Sequence, residues 1–274
     1  MGPIDTLGLV GGAGLLPTLM AREARAAGWR VVAFALSEPA TLQPVVDRVV
    51  PLRLDDVGPA LETLRAEGVR HLVFAGRVWK DGLLRAIPET GATRALLDQA
   101  PDWTDTGLLQ TASAALEAMG VELLDQRRFL GRWLAPAGHL AGPLADAAAL
   151  ADARRGVEVA RELARLAIGQ TVVVKTGAVV AVEALEGTDE TIRRGLALAG
   201  PGAVVVKAPA AGHDYRFDVP AVGPETVARC AAGQARVLAV EAGRVLLVDK
   251  EALVAEATRG GLTVIGLGGA AGDG

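Results

Sequence analysis

The sequence predicts an α/β protein with an N-terminal Rossmann-like domain on a parallel sheet and a distinct C-terminal α/β domain with a mixed sheet. Three observations carry this. Short apolar runs alternate with amphipathic stretches through the first half, the pattern of strands joined by crossover helices. The apolar half of the composition is almost all Ala, Val and Leu, with only 3% aromatic residues, which suits buried strands covered by helices. In the second half, β-branched runs flank short glycine turns, the signal of antiparallel hairpins. A length of 274 residues accommodates two such domains.

Residues 6–10 form a first strand that stops at Gly11-Gly12-Ala13-Gly14, and Pro17 opens a helix lasting to Gly28. Proline fits a first helical turn because its missing N–H has no partner there anyway. Residues 31–36 read as a second strand, 57–67 as a helix, 71–75 as a third strand ending at Gly76, 107–119 as a helix and 121–124 as a short strand. The run Pro-Ala-Gly-His-Leu-Ala-Gly-Pro at 136–143 breaks regular structure, so the expected division is 1–135, a linker at 136–146, and 147–274. Residues 147–166 make a long amphipathic helix. Residues 171–174 and 178–184 pair around Thr176-Gly177, and 238–240 with 245–248 repeat the hairpin around Glu241-Ala242-Gly243-Arg244.

Composition excludes several classes. With 51% apolar and 22% charged residues the chain is not disordered. A net charge of −4 lacks the basic excess that nucleic-acid backbones demand. The single Cys230 precludes an intrachain disulfide or a cysteine-rich metal site and fits a reducing compartment. The longest uncharged stretches, such as 6–21, contain Gly and Pro and fall short of the ~20 residues that span a bilayer, and the start lacks a basic region, so a cytoplasmic protein is expected. His71, His139 and His213 are scattered, and neither HExxH nor GxSxG occurs, which removes zinc and serine hydrolases of those types.

Four places carry candidate chemistry. Gly12-Ala13-Gly14 supplies two glycines of a dinucleotide fingerprint but has Pro17 at the third, and no P-loop lysine follows. Its amides either face a phosphate or nucleotide at the helix N-terminus, or form a tight strand-to-helix turn. Gly76-Arg77 ends the third strand, where Arg77 either meets a phosphate at the switch point or is a solvated charge. Glu186-Gly187-Thr188-Asp189 opens a helix with Thr188 as its N-cap and Asp189 and Arg193 on one face: a seat for an anion or its metal ion, or an ordinary capped helix. Lys207 begins a stretch in which an extended 213–219 would put Asp214, Arg216 and Asp218 on one face, opposite His213, Tyr215, Phe217 and Val219. An acid-base-acid face suits metal-assisted phosphoryl transfer; the alternative is a solvated strand edge. Cys230 lies in an apolar helical run and reads as core. An NAD(P)-dependent oxidoreductase and a non-catalytic nucleotide-sugar or lipid-binding module remain open beside a hydrolase.

Taken together, Gly11 to Pro17, Phe74-Ala75-Gly76-Arg77, Ile168-Gly169-Gln170, Ala181 to Asp189 and Arg216-Phe217-Asp218-Val219-Pro220 resemble the LpxI family, and the similarity runs from about Leu7 to Leu267. The resemblance implies a Mg²⁺-dependent UDP-2,3-diacylglucosamine diphosphatase of lipid A biosynthesis. Its products are UMP and 2,3-diacylglucosamine 1-phosphate (lipid X), water attacking the phosphorus on the glucosamine side. It also implies a homodimer, a lipid-linked UDP-sugar substrate, no nucleic acid, and a cytoplasmic protein peripheral to the inner membrane. Asp218 carries the family's essential carboxylate, with Asp214 and Arg216 beside it, and Asp218 and Asp189 are the implied metal ligands. Substrate contacts are implied at Gly12, Gly14, Leu15, Gly76, Arg77, Gln170, Thr188, Asp189, Arg193 and Lys207. Three positions depart from the family pattern: Ala13 replaces a glycine, Asp105-Thr106 replaces a paired Asp, and His213 replaces a Gln.

Overall fold

The computed structural model describes residues 5–77, 90–100 and 105–268. The chain forms two compact units, Met1–Gly131 with Asp214–Asp218, and Arg132–His213 with Val219–Gly274.

In the first unit, β1 (Thr6–Gly11), β2 (Arg30–Ala35), β3 (Arg48–Pro51), β4 (His71–Ala75) and β5 (Glu122–Leu123) make one sheet in the order β3-β2-β1-β4-β5. Every pairing in it is parallel. Strand β3 was not expected: it lies at the sheet edge, half-exposed, with Arg and Pro at its ends, so it lacks the apolar run that marked its neighbours. Its presence leaves the key geometry as expected. β1 lies between β2 and β4, so the strand order reverses there and the carboxyl ends of β1 and β4 flank the switch-point crevice. Helix Leu16–Ala26 follows β1 at once and buries Met20, Ala21 and Ala24.

The second unit holds a six-stranded mixed sheet of β6 (Gly138–Ala141), β7 (Thr171–Lys175), β8 (Ala178–Val182), β9 (Val204–Lys207), β11 (Val237–Glu241) and β13 (Thr263–Leu267), in the order β6-β13-β11-β9-β7-β8. β10 (Ala221–Val222) and β12 (Leu246–Leu247) form a separate parallel pair. The hairpin around Thr176-Gly177 is present as β7 and β8. Three expectations fail. Residues 136–146 are not a plain linker, because β6 pairs antiparallel with β13 inside that stretch; the contact is long-range, and Gly266 permits it where a Cβ would sit 2.0 Å from the Pro136 carbonyl oxygen. The second hairpin does not form: β11 already has β9 and β13 on both sides, so residues 246 and 247 pair with β10 instead. Residues 213–219 are a turn rather than a strand, so Asp214, Arg216 and Asp218 do not share the face of a pleat.

The aliphatic composition has a packing cause. Alternate residues of β7 face opposite ways: Val173 joins Ile192, Leu196 and Val205 on one side, while Val172 and Val174 meet Ala160 on the other. Helix Ala147–Arg165, capped by Asp146 accepting from the Ala149 amide, presents Ala149, Ala153, Gly156 and Ala160 to the sheet. A Cβ on Gly156 would lie 2.3 Å from Val206 Cγ2, and one on Gly195 of helix Thr188–Ala199 2.5 Å from Val173 Cγ2. Both helices sit too close to the valine strands for large or aromatic side chains.

Candidate functional site

The structure gathers the singled-out residues into two groups, one in each unit.

In the first unit the glycine loop and the end of β4 lock together. The Gly12 amide donates to the Ala75 carbonyl at 2.8 Å, the Ala13 amide to the Arg77 carbonyl at 2.8 Å, and the Arg77 amide to the Ala13 carbonyl at 3.0 Å. These amides serve the turn, and the side-chain-free positions have a steric reason. A Cβ on Gly12 would sit 2.3 Å from the Arg77 carbonyl oxygen, and one on Gly76 2.8 Å from that of Ala13. Gly14 differs: its φ is +95°, open space surrounds it, and it precedes Leu15, an exposed apolar side chain at the start of the helix. The backbone that can approach a ligand at this crevice is therefore the Gly14-Leu15 corner and the first helical turn, whose N–H groups lack intrahelical partners.

Residues 214–218, from the far half of the sequence, belong to this unit. Phe217 packs against Phe74 of β4, ring centroids 6.5 Å apart, beside the first unit's core. The segment that ends in Asp218 thus meets β4 at Phe74, near that strand's carboxyl end. Arg216 is committed within its own turn: its Nη2 donates to Asp214 Oδ2 at 2.8 Å and its Nε to both carboxylate oxygens at 3.1 Å. That hydrogen bond raises the guanidinium pKa further above its ordinary value. Arg216 also lies 4.0 Å from Glu117 Oε1, so its charge is engaged by Asp214 first and Glu117 second rather than alternating between Asp214 and Asp218 in an acid-base-acid row.

In the second unit, Lys207 at the carboxyl end of β9 is only 8% exposed, and its Nζ donates to Thr188 Oγ1 at 2.8 Å. Thr188 Oγ1 in turn donates to Glu183 Oε1 at 2.8 Å, and the Gln170 amide donates to Glu183 Oε2 at 3.1 Å. Burial pushes the Glu183 carboxyl up, but the Lys207 charge and the hydrogen bonds from Thr171, Thr188 and Gln170 outweigh it and hold the pKa below the ordinary value. The fold makes this meeting: Thr171 of β7 is paired with Lys207 of β9, and Glu183 follows β8 on the other side of β7. Thr188 is the first residue of its helix, with Gly187 at the cap position, so its hydroxyl bonds to side chains rather than capping the helix as expected.

Gln170, Thr188 and Lys207 are therefore brought together; Asp189 and Arg193 are not paired with each other. Asp189 Oδ1 lies 3.2 Å from Arg229 Nε, and Arg193 bonds to Glu190 on an exposed helix face. Glu183 was missed as a site residue. It lies inside the Ala181 to Asp189 run that resembles the family, but no role was read for it there, and nothing local predicts its lysine partner. Among the described residues there is no group of three or more His, Cys, Asp or Glu side chains that could hold a metal ion.

Comparison with known proteins shows what the chain is similar to. Residues 6–133 match the LpxI N-terminal domain and residues 136–265 the LpxI C-terminal domain. UDP-2,3-diacylglucosamine pyrophosphatase LpxI of Caulobacter vibrioides is 34% identical over 273 residues, covering 95% of this chain and 97% of that protein. Solved structures give distant likenesses: an N5-carboxyaminoimidazole synthetase from Staphylococcus aureus with ADP (17% identity, 62% of this chain, TM-score 0.23) and an L-amino acid ligase from Bacillus licheniformis (13%, 67%, 0.24). The chain spans 38% and 40% of those two structures' lengths.

Proposed function

The chain belongs to the LpxI family, and from that membership we propose that it hydrolyses the diphosphate of UDP-2,3-diacylglucosamine, yielding UMP and 2,3-diacylglucosamine 1-phosphate in lipid A biosynthesis. The observation that carries the reading is the similarity to the Caulobacter pyrophosphatase over 97% of its length, which leaves no part of that protein unmatched by a large segment.

The residues fit work on a diphosphate. Lys207 and the first-turn amides of helix Thr188–Ala199 put positive charge at one place, where phosphate oxygens are stabilised. Thr188, whose proton goes to Glu183, accepts from the Lys207 ammonium and holds it in place. Asp218, in the Arg216-Phe217-Asp218-Val219-Pro220 run, is the carboxylate assigned to orient the attacking water and accept its proton, on the strength of that motif alone. Asp218 is the carboxylate that would hold Mg²⁺, as the family resemblance implies; among the described residues no group of three or more His, Cys, Asp or Glu side chains would hold it by protein ligands alone. When bound it neutralises charge developing on the phosphoryl oxygens. Asp189, paired with Arg229, is a poorer ligand than the sequence suggested. The products include a diacylated lipid, so contact with a membrane surface belongs to the proposal, and the family resemblance adds a dimeric assembly; no helix among the described residues is long and apolar enough to cross a bilayer.

The test is direct. Purified protein incubated with UDP-2,3-diacylglucosamine and Mg²⁺ is expected to release UMP, and Asp218→Ala to abolish release while retaining the wild-type circular dichroism spectrum. No UMP from well-folded protein with Mg²⁺ or Mn²⁺ present would overturn the reading.

A further inference from the structure

Two turns of identical design face each other in the first unit. In Asp214-Tyr215-Arg216, the Asp214 carboxylate accepts the Arg216 amide at 3.0 Å and the forked Arg216 guanidinium. In Asp125-Gln126-Arg127, just beyond β5, the Asp125 carboxylate accepts the Arg127 amide at 2.8 Å, its Nε at 3.0 and 3.1 Å and its Nη2 at 2.6 Å. The turns are joined in two ways. The Gln126 amide donates to the Tyr215 carbonyl at 3.1 Å, and the Arg127 guanidinium lies 3.9 Å from the centre of the Tyr215 ring. Gln126 and Tyr215 are 2% and 4% exposed, so this is a packed junction rather than a surface contact.

We propose that the Asp125-Gln126-Arg127 turn is a positioning clasp for Asp218: it grips Tyr215 from both its backbone and its ring face and so sets where the carboxylate three residues later is held. The inference rests on the role given to Asp218 above. The alternative, that Phe217 packing alone fixes the segment, leaves the paired design unexplained. Phe217 fixes a ring against Phe74, whereas a carbonyl hydrogen bond and a stacked guanidinium fix the direction of the backbone that leads to Asp218. Asp125 holds Arg127 flat for stacking. Burial pushes the Asp125 carboxyl up, and the Arg127 hydrogen bonds overcome it and keep it ionised through the neutral range.

The test uses the full chain as Arg127→Gln, Arg127→Lys and Asp125→Asn. Two readouts are taken: steady-state UMP release, and trypsin cleavage after Arg216 followed by mass spectrometry. Loosening the clasp is expected to lower kcat by at least about tenfold, toward the hundredfold that a 1 Å misplacement costs, with KM within about threefold of wild type. UMP binding at one equivalent per chain would show that the folded fraction is unchanged. Cleavage after Arg216 is expected to accelerate in the same order, with Arg127→Lys, which keeps the charge but not the planar fork, between wild type and Arg127→Gln. Unchanged kcat in all three variants, or unchanged protection of the Arg216–Phe217 bond, would overturn the clasp. Should the wild-type protein release no UMP, the proposed function fails by that result, and the clasp is then decided by the trypsin readout alone; Asp125→Asn serves where Arg127→Gln does not fold.

Discussion

Replacing Lys207 by Met keeps the apolar stem and removes the ammonium from a nearly buried position. What remains is a Glu183 carboxylate whose burial is no longer countered by a positive charge. Lys207 acts on Glu183 through Thr188 Oγ1 rather than as a direct ion pair; losing a hydrogen bond from a charged group costs about 1.5–3 kcal/mol, and with the Glu183 charge left uncompensated the expected loss is about 2–3 kcal/mol. At about 2–4 °C per kcal/mol this lowers the melting midpoint of the second unit by roughly 4–12 °C. The double variant Lys207→Met, Glu183→Gln removes both charges and should recover most of that loss. The pH dependence follows from the direction of the Glu183 shift. Its folded pKa lies below the ordinary 4.5, so its contribution is complete above about that pH and disappears as pH falls through the folded value. The deficit of Lys207→Met is accordingly largest near neutral pH and shrinks as pH falls, because the stranded carboxylate, no longer lowered by Lys207, takes up a proton more readily than in the parent protein. Scanning calorimetry of the three proteins at pH 7.5 and pH 4 measures this. A double variant no more stable than the single one, or a deficit equal at both pH values, would refute the account of the Lys207–Thr188–Glu183 group as one electrostatic unit.

Three further outcomes are expected. Gly12→Ala places a methyl 2.3 Å from the Arg77 carbonyl oxygen and should cost about 2–3 kcal/mol by urea denaturation. Gly14→Ala meets no neighbour and should cost about 1 kcal/mol for its left-handed backbone alone; equal losses would contradict the glycine-loop bridge. The Cys230 thiol is fully buried and its pKa is pushed up to about 12, by burial first and the Asp189 charge second, so a disulfide reagent at pH 8 should label no thiol in the native protein and one after unfolding.

Much of the fold was legible because its signal is local. β1, β2 and β4 are apolar runs of the right length, and the helix opened by Pro17 begins where a missing amide is harmless. Elements whose identity depends on a distant partner were the ones misread. β3 is a short exposed edge, β6 is a glycine-rich run that pairs with the last strand, and the second hairpin was precluded by strands on both sides of β11. The site divides in the same way. Thr188, Lys207 and Asp218 were singled out from motifs, whereas Glu183 and the Asp125-Gln126-Arg127 turn were not, since each is ordinary in its own window.

The aliphatic, aromatic-poor composition, the period of the strands and the glycine turns by themselves determined the α/β class, the parallel first sheet and the residue types available for diphosphate chemistry. They do so because hydrophobic periodicity and turn stereochemistry act over a few residues. Only the tertiary structure decided which charges meet: that Lys207 faces Glu183 across β7, that Asp189 turns to Arg229, and that the stretch bearing Asp218 returns to the first unit under Arg127. Those pairings follow from strand order and burial, which place side chains from remote positions in a low-dielectric neighbourhood where an unpaired charge is costly, and no window of sequence contains that information.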